Sequence, residues 1–123
     1  MTWHIARTLT PEMMRDWADL TSDFNPLHLD ADFASQTAFG SPIVFATLTL
    51  AIVSEALEAA FGDRWTGGGS LEVKLVGPVM VGAGFDVAVE AENGEISITC
   101  ETEGREPFIL DLRLPDSPEV NRP

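Results

Sequence analysis

The stretch that decides the fold is Ser41–Phe61, SPIVFATLTLAIVSEALEAAF. Ser41-Pro42 has the form of an N-cap followed by proline at the first helical position, where the missing N–H costs nothing. From Val44 to Val53 no side chain is charged, and Glu55 and Glu58 enter only in the last turns. Ala, Leu and Glu are good helix formers. Val44–Phe61 therefore predicts one long helix of about eighteen residues, roughly 27 Å at 1.5 Å per residue. A helix apolar nearly all round is a buried one. The uncharged run is too short to span a bilayer.

Downstream, Gly62 and the Gly67-Gly68-Gly69 run, a flexible turn by composition, end the helical period. A period of two takes over. Leu71, Val73 and Leu75 alternate with Glu72 and Lys74; Phe85, Val87 and Val89 with Asp86, Ala88 and Glu90. Ile96, Ile98 and Cys100 alternate with Ser97, Thr99 and Glu101; Phe108, Leu110, Leu112 and Leu114 with Ile109, Asp111 and Arg113. Such strands have one apolar and one mostly polar face, the pattern of an antiparallel sheet covered on a single side. Asn93-Gly94 predicts a tight hairpin, and Gly104-Arg105 marks the next turn.

Upstream, Trp3–Thr10 predicts a short first strand. Thr10-Pro11 opens a short helix with Glu12 in its first turn. Met13, Met14, Trp17, Ala18 and Leu20 form the apolar side of that helix. Thr21–Leu29 reads as a loop, because Asp23, Asn25 and Pro26 are turn formers. Asp30 or Asp32 caps a short helix through Phe33, Ala34 and Ala38, ended by Gly40. The sum is an α+β chain: a five-stranded antiparallel sheet whose apolar face wraps one long central helix. One domain is expected over residues 1–115, with 116–123 as a tail. The sheet has two open edges, and one curved sheet cannot cover a helix all round. Dimerisation by edge pairing or across the helix is therefore expected.

The chain has 123 residues, enough for one domain with a real core. Its single cysteine, Cys100, excludes an internal disulfide, and its inward place beside Ile96 and Ile98 marks it as core. With no signal-like start and no long apolar run, a cytoplasmic protein is expected. Twenty acidic residues against seven basic ones give a net charge of −13. That disfavours nucleic acid and anionic membranes, which need a basic footprint. Arg64, Lys74, Arg105 and Arg113 are the cations available for a local basic patch.

Asp23 and His28 stand five residues apart on the predicted loop. Such a loop can turn a carboxylate and an imidazole toward one water, so that one takes a proton as the water attacks and the other donates one. Both jobs need groups titrating near neutrality, which histidine is and a partly buried carboxylate becomes. The alternative is structural: Asp23 caps the Asn-Pro turn and His28 satisfies a backbone carbonyl. The free N–H groups at the start of the central helix, around Phe45 to Thr47, can hold a thioester carbonyl as it gains enolate character. A metal site needs more ligands than His28, Asp23, Asp30 and Asp32 supply, and the other histidine, His4, reads as structural or exposed. No GxSxG elbow is present.

The text DFNPLHLD (Asp23–Asp30), then Phe33-Ala34, then FGSPIV (Phe39–Val44) resembles the MaoC-like, hotdog-fold hydratases and dehydratases, which include the (R)-specific enoyl-CoA hydratases. VKLVGPVMVG (Val73–Gly82) resembles the family's strand-and-turn segment, and the similarity in layout runs from about Trp3 to Leu114. The resemblance implies a dimer with sites near the subunit interface. It makes Asp23 and His28 the catalytic pair, activating a water that adds syn across the 2,3 double bond of an enoyl thioester. It makes Asn25 a support of the loop, Ala46 the backbone N–H donor to the carbonyl, and Ser70 a polar neighbour of the site. No cofactor is implied, coenzyme A entering only as part of the substrate. Two departures stand out: Phe45-Ala46 where the family has His-Gly, and Gly82-Ala83 where it has Gly-Asp. Phe45 adds bulk to the substrate-facing wall, and the acidic chain opposes a polyanionic ligand. A specialised substrate, thioesterase chemistry, or a non-catalytic role beside an active homologue are the alternatives.

Overall fold

The computed structural model describes residues 1–115, and the expected tail over 116–123 lies outside them. The chain runs β1 (Thr2–Thr8), α1 (Pro11–Thr21), α2 (Pro26–Leu29), α3 (Ala31–Ser35), α4 (Ala46–Phe61), α5 (Asp63–Thr66), β2 (Ser70–Leu75), β3 (Gly84–Glu92), β4 (Glu95–Glu101) and β5 (Phe108–Arg113). This is an α+β chain with antiparallel pairing throughout its strands.

The four predicted downstream strands and the first strand all form, but as two ladders rather than one five-stranded sheet. One has the order β1-β3-β4 and the other pairs β2 with β5. β4 lies against β5, so the ladders adjoin. Pro107, immediately before β5, has no N–H to give a ladder, and its carbonyl accepts from Val76 and Gly77 on the β2 side. Asn93-Gly94 turns as predicted, with φ of 52° and 81° at its two residues, and sets the register Glu92↔Glu95 between β3 and β4.

α4 is the longest helix, with 16 residues, and it is one of five among the described residues, where one long and two short ones are expected. Its Leu48, Thr49, Ile52, Val53, Ala56, Leu57 and Phe61 are buried. Thr47, Ala51, Glu55, Glu58 and Ala59 are exposed. The helix is therefore buried over one broad face and not all round. The small and charged residues recur at helical spacing and make the outward stripe. It does not begin at Ser41-Pro42 either. Ile43 bridges to Met80, Val44 N–H donates to the Val79 carbonyl at 2.7 Å, and Val81 N–H donates to Pro42 at 3.0 Å. Residues 42–44 are thus held as an extended strap, and the local cap signal is overridden by pairing at a distance.

α1 is capped as predicted, Thr10 accepting from Met13 N–H at 3.2 Å. It buries Met14 and Ala18, while Leu20, expected on the apolar side, is exposed. The Gly67–Gly69 turn is tightly packed rather than loose: a side chain at Gly69 would run into the Trp65 ring.

The core lies between α4 and the inner faces of the strands. Phe85, Val87 and Val89 of β3 are wholly buried, and β1 and β3 both contact α4. Phe85 meets Phe108 of β5 edge to face at 6.0 Å, joining the two ladders. Truncating a fully buried phenylalanine removes its transfer energy and leaves a cavity. Phe85→Ala is expected to lower unfolding stability by about 3–5 kcal/mol, read as a shifted urea midpoint at unchanged slope.

Candidate active site

The segment predicted as loop, Thr21–Leu29, ends in a helical turn. Asn25, with φ −58° and ψ 121°, is the N-cap of α2, and its side-chain oxygen accepts from Leu27 N–H at 3.0 Å. Proline at position 26 disfavours the α region for Asn25 and suits the first helical position itself. Asn25 thus holds this segment in shape. Asp23 Oδ1 accepts from Asn25 N–H at 3.2 Å, which leaves the second carboxylate oxygen without a hydrogen bond among the described residues. Asp23 is exposed in this chain, not partly buried as the acid–base role anticipates.

His28 sits on α2, half-buried, with Nδ1 2.7 Å from the Ile43 carbonyl oxygen. A carbonyl can only accept, so Nδ1 carries the hydrogen. In the neutral ring Nε2 is then the bare nitrogen, able to take a proton. The ring lies face to face with Phe45, with centroids 4.0 Å apart and planes at 29°. Phe45 is buried. No hydrogen bond joins Asp23 to His28 among the described residues.

Phe45 is also the N-cap of α4, and its side chain makes no capping bond. The first-turn N–H groups, Ala46 among them, are the ends where a helix has no internal partner and carries partial positive charge. A cavity of about 100 Å³ opens beside them, lined by Ile43, Val44, Ala46, Thr49, Leu75, Gly77, Pro78, Val79 and Phe108. Thr49, buried, donates to the Ala46 carbonyl at 2.6 Å, and Trp17 Nε1 donates to Thr47 at 3.0 Å, pinning α1 to the start of α4.

The structure thus brings His28, Phe45 and Ala46 together. Ser70 stands apart: exposed at the head of β2 opposite Arg113, with no hydrogen bond to Asp23 or His28 among the described residues. Asp30 is spent on capping α3, accepting from Asp32 and Phe33 N–H at 2.9 and 3.1 Å. His4 is exposed on β1, in a surface groove with Asp86 and Glu101. Among the described residues no group of three or more His, Cys, Asp or Glu could hold a metal ion. Cys100 is core, as expected, and burial pushes its thiol up to about 12. Of the cations weighed for a basic patch, Lys74 shares a groove with Glu72 and Asp111, and Arg105 donates to the Pro78 carbonyl. Two partners escaped the sequence reading. The Ile43 carbonyl has no signature in a side-chain pattern, and the Trp17–Thr47 bond joins residues thirty apart. Among the described residues no helix is long and apolar enough to cross a membrane.

Relatives are found on both sequence and structure. The chain is 42% identical over 80 residues to an (R)-specific enoyl-CoA hydratase of Aeromonas caviae, a match covering 60% of this chain and 55% of that protein. It therefore spans little more than half the length of that relative. It is 29% identical over 118 residues to a 3-hydroxybutyryl-CoA dehydratase of Methylorubrum extorquens, covering 85% of this chain and 73% of the other. Among solved structures, the (R)-hydratase from A. caviae involved in PHA biosynthesis superposes with a TM-score of 0.73 at 26% identity, over 94% of this chain and 95% of that one. The fold is that of the hotdog hydratases. The MaoC-like domain family matches residues 3–106. With that match spanning most of its length, the chain belongs to the MaoC-like domain family.

Proposed function

We propose that this chain is a hydro-lyase adding water to, or removing it from, the 2,3 double bond of an enoyl-CoA thioester. The observation that carries the reading is the His28 lock. With Nδ1–H held by Ile43, Nε2 is the free base, on a ring stacked against Phe45, the N-cap residue of α4. In hydration, water held between Asp23 and His28 loses a proton to one of them, and its oxygen bonds to C3. The electron pair of the double bond moves toward the thioester carbonyl, whose developing negative charge Ala46 N–H holds. C2 then takes a proton from the other group, which restores the thioester. Dehydration is the reverse. The two sequence relatives, an (R)-specific enoyl-CoA hydratase and a 3-hydroxybutyryl-CoA dehydratase, support the same substrate class.

We further propose that residues 1–115 act as one domain in a homodimer, its two ladders forming one curved wall around α4. Leu20, Phe24, Phe33 and Phe39 are large, apolar and exposed around the Asp23–His28 segment, as are Leu75 and Val76 at the end of β2. A second subunit covering the first group would bury Asp23, which this chain alone leaves in water. Such burial raises a carboxylate toward the range where it can exchange protons near neutrality. Ser70 is proposed as a polar group that reaches the site only in the dimer.

The test is crotonyl-CoA with the purified protein. Loss of the enone absorbance without release of free thiol is the expected result. Thiol release with the double bond intact points to thioester hydrolysis, and no reaction in either assay rejects both chemistries for this substrate.

A further inference from the structure

We infer that Phe45 is the positioning residue of this site: its ring fixes the plane of the His28 imidazole, so that Nε2 is presented beside the start of α4. The inference rests on the reading of His28 as the base. A histidine side chain turns about two torsions. The 2.7 Å bond from Nδ1–H to Ile43 fixes one edge of the ring, yet still lets the ring swing about the N–H···O axis. Face contact with Phe45, at 4.0 Å and 29°, removes that swing. Phe45 cannot step aside, because it is itself only 2% exposed and packed in the core cluster with Val44, Leu48 and Val79.

The place of Phe45 in the chain matters as much as its ring. N-cap positions favour Ser, Thr, Asp and Asn, whose side-chain oxygen accepts from the first-turn N–H groups. Phe45 breaks that rule, and its side chain makes no capping bond. A rule broken at one position, with no local gain, points to a function there. A capping oxygen at 45 would take up first-turn N–H groups and would remove the ring from His28. Phenylalanine does the opposite on both counts. One residue therefore links the two halves of the chemistry: its side chain holds the base, and the peptide bond on its C-terminal side carries the Ala46 N–H. The separation of base and donor is set across a single residue, which is short enough to be stiff.

A residue that merely filled the core would be replaceable by a flexible apolar chain of similar volume, such as methionine. One that holds a ring plane would not. The chain has only two histidines, and His4 is exposed on β1, so ¹⁵N-histidine spectra contain the site and an internal reference. Wild type is expected to hold His28 in a single tautomer with Nδ1 protonated. Phe45→Met is expected to keep that tautomer, which the Ile43 carbonyl sets, but to broaden or split the His28 ring signals as the ring takes more than one orientation, and to lower kcat for crotonyl-CoA by about tenfold or more, KM staying within about twofold. Phe45→Tyr, which keeps the ring, is expected to restore both. If Phe45→Met does not fold, Phe45→Leu carries the same comparison. The proposal is overturned if the aliphatic variant keeps one sharp set of His28 ring signals and wild-type kcat, or if Phe45→Tyr is as impaired as the aliphatic variant. The spectra need no substrate. A wild type that fails to hydrate crotonyl-CoA thus counts against the functional reading, while the comparison of the ring signals still decides the role of Phe45.

Discussion

His28→Asn is expected to lower kcat for crotonyl-CoA hydration by roughly 10²–10⁴-fold, the usual weight of one general acid or base. Asparagine is chosen because its amide nitrogen falls near the position of Nδ1. It can still donate to the Ile43 carbonyl, which accepts at 2.7 Å in the native chain, so the packing of α2 on the strap survives while Nε2 is deleted. Asp23→Asn makes the matching test on the other group. It keeps the side-chain oxygen that accepts from Asn25 N–H at 3.2 Å and removes only the charge and the basicity. If each group moves one proton in the same turnover, the double variant should lose little more than the worse single one, because residues acting as a unit are far from additive. Robust turnover in either single variant would sink the assignment of that residue. Unchanged circular dichroism and unfolding midpoints are needed for the reading, and both substitutions are designed to preserve them.

What the sequence made legible here was whatever physics is local. The Asn93-Gly94 hairpin, the Thr10 cap and the alternating strands follow from residues within a few positions of one another, and each is found. The start of α4 was misplaced because the strongest local signal, Ser41-Pro42, competes with pairing to Val79 and Met80, almost forty residues away. No window around Ser41 contains that information. The site divides in the same way. Asp23, Asn25 and His28 were visible as residue types in a spaced pattern, but the group that sets the His28 tautomer is a backbone carbonyl, which any residue at 43 would offer. The structural alternative for His28, that it satisfies a carbonyl, is therefore true without excluding the chemical one, since the bond that anchors the ring also decides which nitrogen is free. Phe45 was noted for its bulk against a substrate; its contact with His28 gives that bulk a different use.

Ala46→Pro is expected to lower kcat by about 10²–10³-fold, or roughly 3–4 kcal/mol of transition-state stabilisation, the loss typical of one oxyanion donor. The substitution deletes a single N–H. Ala46 is the first residue of α4, the helical position where proline is most at home, because its missing N–H has no partner in the helix and its fixed φ suits the first turn. The residue before a proline must be extended, and Phe45 already has ψ of 125°, inside the range that proline imposes on its predecessor. No fold hydrogen bond is lost, since no partner for the Ala46 N–H exists among the described residues. Stability should thus be unchanged, or raised by up to about 1 kcal/mol through the stiffer unfolded chain. KM for crotonyl-CoA should change little, because the charge that the N–H answers develops only in the transition state. A variant that folds normally and turns over at the wild-type rate would remove Ala46 from the chemistry and shift the carbonyl to another donor. If kcat falls together with the unfolding midpoint, a disturbed helix start is the cause, and Ala46→Gly separates the two. Glycine restores the N–H without the methyl, so it should keep the rate even where the weaker helix former costs stability.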